Sequence, residues 1–598
     1  MLLSRCCRSR LYTNGCAKVC GPKFSHSLSF IPNQGQQQIY DALQIAKIKQ
    51  LQVGKIKPQE AMVDRKRIKT VHTSPESREG SKEEVLAFEV EALLSKHAKD
   101  ASDPKSASSG PEEQAANVAE AEKVPERYSE IELDIAELSS TGEGLALSPG
   151  GNMMYIVPFT VPGDRVLARI VERPSPKRYA NTDFIKVIKA SPKRNDAGIG
   201  CKYFSKCSGC QLQMLSYEDQ LAHKKTILEK AYKNFSGLNP ALVPPISDTY
   251  GSPLEYNYRT KLTPHFEGPP RHRYDKRFKE VPPIGFTLKG RQQQVLDIED
   301  CPIGSPIVRE GLARERAAVA AQMHKYTKGA TLLVRESTQR TPKTSSAPYA
   351  IKGDTEHLSS ASESAPITID PTSGRPVIHK EFPTYIEEKT YVSDWNDFNT
   401  EYIDDWKFTT RAGSFFQNNA SILSKFTAYV RGHALPPAPT LGEPSVKYLL
   451  DAYCGSGLFA VTLSTLFKST LGVDIDSTAV SAARANASDN NLSNIGFIEA
   501  DAAALFAGVP FPPAETVVVI DPPRKGCSRD FLAQLLSFGP KRVVYVSCNV
   551  HSQARDVGVL VQGNAKVRYE IESLRGFDFF PQTGHVEGVG FLNRVELP

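Results

Sequence analysis

The C-terminal third of the chain restricts the fold most. From Trp406 onward, short apolar runs recur at Val446–Leu450, Thr470–Val473, Ile495–Glu499, Val517–Ile520 and Val543–Val546. Segments of helical character separate them. Short runs without polar alternation fit strands covered on both faces, and strands alternating with helices build a parallel sheet. The pattern predicts a doubly wound, Rossmann-like α/β domain over 401–598.

The rest of the chain is less uniform. A length of 598 residues accommodates about four domain-sized pieces. Hydrophobic residues at 40% and charged residues at 23% exclude collagen, a disulfide scaffold and a wholly disordered chain. No apolar run is long enough to span a bilayer, so no membrane partner is expected. The net charge of +6 permits nucleic-acid binding without arguing for it. The first forty residues contain no Asp or Glu and interleave Arg5, Arg8, Arg10, Lys18 and Lys23 with Ser, Leu and Tyr. That is the composition of a transit peptide, which points to the mitochondrial matrix. Arg65-Lys66-Arg67 leaves the nucleus and cytoplasm open. Residues 1–126 are expected to be leader and disordered or weakly helical linker.

Strand periodicity begins with Ile131, Leu133 and Ile135, and Gly/Pro turns punctuate further short runs to about residue 190. This predicts a small β-barrel over 127–194. Basic residues gather at its end (Arg173, Lys177, Arg178, Lys186, Lys189, Lys193, Arg194), with Tyr179 and Phe184 among them. Cations for phosphates and rings for bases make an RNA-binding barrel a fitting reading. Residues 195–400 read as a mixed α+β domain. A helix is expected around Tyr217–Tyr232, a basic strand at Tyr256–Lys261, and a flexible Ser/Thr/Pro-rich insertion near 338–380.

Four motifs carry chemistry. Asp451-Ala-Tyr-Cys-Gly455-Ser-Gly457-Leu-Phe-Ala460 follows a strand and opens a helix, where glycines let the backbone approach a ligand. Asp474 ends the next strand, where a carboxylate can accept both hydroxyls of a ribose. NAD enzymes and S-adenosylmethionine enzymes share this arrangement. Asp451 favours the latter, because a carboxylate can organise a methionine amine and gives a phosphate loop nothing. Asp521-Pro-Pro-Arg524-Lys525-Gly526 makes a stiff loop at a strand's carboxyl end, with two cations for substrate phosphates. Cys548, in Val-Ser-Cys-Asn, ends the following strand on the same edge and is a candidate nucleophile. Glu587, in Gln-Thr-Gly-His-Val-Glu, opens the last apolar strand and is a candidate general base.

Eleven cysteines are too few and too unevenly spaced for a disulfide framework. Cys201-x5-Cys207-x2-Cys210, with Cys301 far downstream, is a metal-ligand pattern suited to a cluster or to zinc.

Cys548, Glu587, the Asp-Pro-Pro-Arg-Lys-Gly loop and the Phe-Phe-Gln-Asn-Asn run at Phe415–Asn419 together resemble the class I RNA uracil-5 methyltransferases, most of all the tRNA-modifying fungal type. The resemblance covers roughly 127–598 apart from the insertion. It implies S-adenosyl-L-methionine as methyl donor and tRNA as substrate. It further implies an OB-like TRAM module over the barrel, and Gln417, Tyr453, Asp474, Asp521 and, more loosely, Asp501 around the cofactor. Asp474 stands where many relatives have Glu. In bacterial relatives the pattern of Cys201, Cys207, Cys210 and Cys301 resembles a [4Fe–4S] site. Two rival readings stay open, an rRNA uracil-5 methyltransferase and an RNA-binding or folding factor with secondary methylation. A nuclease lacks support, since no compact acidic cluster is visible. Nothing signals a protein partner or an oligomer, so a monomer is the default.

Overall fold

The computed structural model describes residues 80–102, 126–172, 178–269, 277–343, 365–437, 444–501, 505–506 and 508–596. The basic leader and Arg65–Arg67 lie outside the described residues, as do Arg173 and Lys177.

Glu130–Leu138, Gly144–Leu147, Met154–Val157, Arg165–Ile170 and Tyr179–Lys189 close into a five-stranded barrel. Alternation turns Leu133, Ile135, Tyr155, Val157, Val166, Ala168 and Ile170 inward, where they form its core. The basic cluster at its end is partly structural. Arg194 is nearly buried and pairs with the buried Asp164 and with Asp196. Lys193 pairs with Asp219, and Arg178 with Glu91. Lys186 and Lys189 are exposed.

Part of the expected linker is ordered. Lys82–Ser102 is an α-helix whose Leu86, Val90 and Leu94, one turn apart, pack on Leu145, Met154, Ile156 and Tyr179 of the barrel. Phe88 meets Phe235 of another helix at 4.9 Å, and Glu89 accepts the backbone N–H of Ser140. A stripe this narrow inside a Lys/Glu/Ser/Ala-rich stretch carries little sequence signal. Its helix is fixed by the partner surface rather than by its own composition.

The central region holds a helix at Tyr217–Phe235, N-capped by Ser216, and a second at Pro306–Ala321. It also contains a four-stranded and a five-stranded sheet. The expected strand at Tyr256–Lys261 is mostly irregular: Arg259 makes isolated bridges to Gly304 and Asn419, and Lys261–Leu262 pairs with Val334 and Arg335. Part of the expected insertion is regular: the end of Val334–Pro342, Ile367–Ile369 and most of Pro376–Glu381 are strands of the five-stranded sheet. Residues 344–364 lie outside the described residues. The hairpin Phe398–Ile403/Trp406–Arg411 straddles residue 400, because its pairing runs from Phe398–Arg411 to Ile403–Trp406.

The C-terminal sheet has eight strands in the order Ile495–Glu499, Ser469–Asp474, Tyr448–Ala452, Thr516–Ile520, Arg542–Ser547, Glu587–Glu596, Val567–Phe577 and Ser247–Tyr250. The first five are parallel, and Glu587–Glu596 runs antiparallel to its neighbours. Thr516–Ile520 and Arg542–Ser547 are buried at every position, as a parallel strand covered on both faces must be. Two apolar cores fill those faces. Strand order reverses between Tyr448–Ala452 and Thr516–Ile520. At such a point the crossovers diverge and leave a crevice at the carboxyl ends of the strands. Among the described residues no helix is long and apolar enough to cross a membrane.

Candidate active site

Three neighbouring strands deliver the candidate reactive groups to that crevice. Asp521 follows Thr516–Ile520, and Cys548 follows Arg542–Ser547. Glu587 opens the antiparallel strand, so its first residue lies on the same edge. Ser547 is paired with Gly588, and this register sets Cys548 opposite Glu587. All three line one cavity of about 1590 Å³, together with Arg524, Gln417, Tyr453, Gly455, Asp474 and Asp501.

The cofactor-binding candidates all line this cavity. Asp474 is oriented by two backbone N–H groups, each at 2.9 Å: Gly455 donates to one carboxylate oxygen and Asp476 to the other. Gly455 has φ +53°, and a Cβ there would meet nothing within 4 Å, so the loop leaves open space for a ligand. Tyr453 holds φ 65°, a left-handed conformation that a bulky side chain adopts only under constraint from its surroundings. An open cradle at the switch point, flanked by the oriented Asp474 carboxylate, fits S-adenosylmethionine. Asp451 does not take the expected place. It is fully buried beneath the loop, accepts the backbone N–H of Ala460 at 2.8 Å and is absent from the cavity wall. Its role is to brace the turn.

The electrostatics of these candidate groups are unusual. Burial raises the Asp521 carboxyl to about 7. Burial, reinforced by Asp521, raises Glu587 well above the usual carboxylate range, and Arg524 opposes this. Glu587 is 1% exposed, and its Oε2 has no hydrogen-bond partner. Burial likewise raises the Cys548 thiol to about 12, with Glu587 and Asp521 adding to it and Arg524 opposing. Arg524 is therefore the cation that moderates the site. Its loop is tied to the segment after Cys548. The Arg524 carbonyl accepts from Asn549 Nδ2 at 2.8 Å and from the Ser552 hydroxyl at 3.0 Å. Asn549 also N-caps the helix Val550–Gln562.

A raised carboxyl pKa means the folded state holds a proton that the unfolded state gives up. Stability from Asp521 is thus present at low pH and is lost as pH rises from the ordinary carboxylate range through about 7. Asp521→Asn is expected to stabilise the fold at pH 8 by about 1–2 kcal/mol while abolishing activity. Thermal unfolding at pH 5 and pH 8 checks this: the gain should shrink at the lower pH.

Cys201, Cys207, Cys210 and Cys301 line the same cavity as free thiols. Burial raises Cys210 to about 12, and the neighbouring thiols add to this. Among the described residues, however, no group of three or more His, Cys, Asp or Glu is arranged to hold a metal ion. The expected [4Fe–4S] cluster or zinc therefore has no support in the donor geometry, and no step below uses either.

Sequence patterns missed what holds the Glu587 loop. Gln220, Lys224, Tyr258 and Asn419 donate to its carbonyls and side chains, and Gln211 accepts the Gly584 N–H. These partners are remote in sequence and form no local motif.

The sheet order, the switch-point crevice and the glycine-bearing first turn define a class I methyltransferase fold. A tRNA (uracil-54, C5)-methyltransferase from Pyrococcus abyssi, solved with S-adenosyl-L-homocysteine, shares that fold. It has a TM-score of 0.51 at 22% identity and covers 77% of this chain and 100% of its own. The sequence profile of the tRNA (uracil-5-)-methyltransferase family matches residues 387–509. The tRNA (uracil(54)-C(5))-methyltransferase of Schizosaccharomyces pombe is 42% identical over 471 residues, 79% of each chain. Its Saccharomyces cerevisiae counterpart is 38% identical over 484 residues, 77% of this chain and 73% of the relative. The chain belongs to the tRNA (uracil-5-)-methyltransferase family of RNA-methylating enzymes.

Proposed function

We propose that this chain transfers the methyl group of S-adenosylmethionine to C5 of uridine 54 in tRNA, through a covalent bond between Cys548 and C6. The observation that carries the reading is the strand register that puts Cys548 and Glu587 opposite each other in the cavity that also holds Asp474 and Asp521. Uracil C5 is too weak a nucleophile to take a methyl group unaided. Addition of a thiolate at C6 makes an enolate with electron density on C5. S-adenosylmethionine supplies the electrophilic methyl. Arg524 draws negative charge to its side of the cavity and opposes the rise in the Cys548 pKa. The unpartnered Oε2 of Glu587 then accepts the C5 proton, the C5–C6 double bond reforms, and the thiolate leaves. The target base must be extruded from its loop to enter the cavity. The barrel, with Lys186 and Lys189 exposed, serves as a TRAM-like RNA-binding module in this reading.

The test is methyl incorporation into tRNA transcripts. Wild-type tRNA is expected to accept one methyl group, and a transcript with cytidine at position 54 none. Equal labelling of both, or labelling of rRNA alone, would refute the assignment.

The reading also fixes a pH profile. Cys548 must be deprotonated to attack and Glu587 to accept a proton, and both pKa values lie high. Single-turnover rates are expected to climb from pH 6 to pH 9, with no falling limb from either group.

A further inference from the structure

Glu587 sits at the end of a loop, residues 578–586, that joins Val567–Phe577 to Glu587–Glu596. Few of this loop's anchors lie in the sheet it belongs to. Lys224, on the helix Tyr217–Phe235, donates to Asp578 Oδ1 and to the Phe580 carbonyl, the latter at 3.0 Å. The Lys224 and Asp578 side chains are both fully buried. Asp578 Oδ1 also accepts the Phe580 N–H at 3.0 Å, which folds the start of the loop back on itself. Further along, Tyr258 donates to the Pro581 carbonyl at 3.1 Å, and Gln220 exchanges two hydrogen bonds with Gln582, each at 3.0 Å. At the far end Gly584 abuts the barrel: a Cβ there would lie 3.1 Å from the Gly142 nitrogen.

Two fully desolvated charges are costly for a fold to keep, and well-packed apolar residues often replace such a pair without loss. A pair retained at the root of the loop bearing the base therefore invites a role beyond stability. We propose that Lys224 and Asp578 are positioning residues for proton removal, holding the 578–586 loop so that Glu587 meets the C5 proton. This rests on the reading of Glu587 as the base. The step it serves is the last one. The C5–H bond breaks, its proton passes to the Glu587 carboxylate, its electron pair reforms the C5–C6 double bond, and the C6–S bond breaks to release the Cys548 thiolate.

Removing one partner alone would strand a buried charge and unfold the site for an uninformative reason. The informative variant neutralises both: Lys224→Met with Asp578→Asn, which keeps an acceptor for the Phe580 N–H. We expect its melting temperature and its affinities for S-adenosylhomocysteine and tRNA to match wild type. Its rate of adduct formation with 5-fluorouridine tRNA should also match. With ordinary tRNA, kcat should fall about 10–100-fold at unchanged KM, because a misplacement near 1 Å costs that much. The methylated protein–RNA adduct should accumulate, visible as a retarded band on a denaturing gel. A merely structural pair would leave kcat intact, or would lower tRNA affinity and adduct formation along with it, and either outcome overturns the proposal. Should the double variant not fold, Gly584→Ala presses on the same loop from the barrel side and is read in the same way. If wild type itself forms no adduct with 5-fluorouridine tRNA, it is the underlying reading that fails. If wild type forms it and the variants turn over normally, only the positioning role fails.

Discussion

Cys548→Ala is expected to abolish methyl transfer, lowering kcat by at least about 10⁴-fold, and to eliminate covalent trapping by 5-fluorouridine tRNA. The argument is chemical. Without a C6 adduct, C5 has no enolate to push electrons toward the methyl group, and the groups left in the cavity, Asp521, Arg524 and Glu587, cannot replace a carbon–sulfur bond. Fluorine at C5 blocks the final elimination, so wild type plus cofactor should stall as a stable adduct. Alanine leaves a small void at a partly buried position, so tRNA and S-adenosylhomocysteine should still bind. Trapping or turnover by the alanine variant would remove the nucleophile assignment. If the variant loses methylation while cells carrying it keep the wild-type phenotype, the RNA-folding reading gains.

Glu587→Gln separates the two halves of the reaction. Glutamine keeps the shape of the buried side chain but cannot accept a proton, so addition and methylation proceed and elimination does not. With ordinary tRNA the variant is expected to accumulate a methylated covalent adduct, and its steady-state kcat should fall by about 10²–10⁴-fold, the span of general acid–base catalysis. The fold should not suffer. Burial penalises the charge of Glu587, and an amide avoids that penalty. Higher stability with near-zero turnover is therefore the expected signature. Rapid turnover by Glu587→Gln would transfer the base role elsewhere.

The candidate groups that line the cavity were legible in the sequence because each ends or begins a short apolar strand. Cys548 and Asp521 stand at strand carboxyl ends, where an α/β sheet presents its ligand crevice. What these local patterns lacked was register. That Cys548 faces Glu587 depends on the antiparallel pairing of Ser547 with Gly588, a contact across about forty residues that no local pattern encodes. Asp451 shows the reverse error. Its position before the glycines suggested a ligand role, yet burial turned it into a brace for Ala460. The four cysteines gave a strong ligand pattern, but side-chain geometry among the described residues closes no metal site.

The helix Lys82–Ser102 marks the limit most clearly. Its stripe of Leu86, Val90 and Leu94 gains meaning only from the barrel residues beneath it. The sequence by itself determined the α/β sheet, its glycine-bearing turn and which side chains are candidates for the reaction, because strand periodicity and strand-end chemistry are local. Only the tertiary structure decided how the Glu587 loop is held. Two of its anchors, Gln220 and Lys224, come from a helix more than three hundred residues away in the chain. Contacts between distant segments are chosen by the whole packed core and leave no periodic trace in either segment.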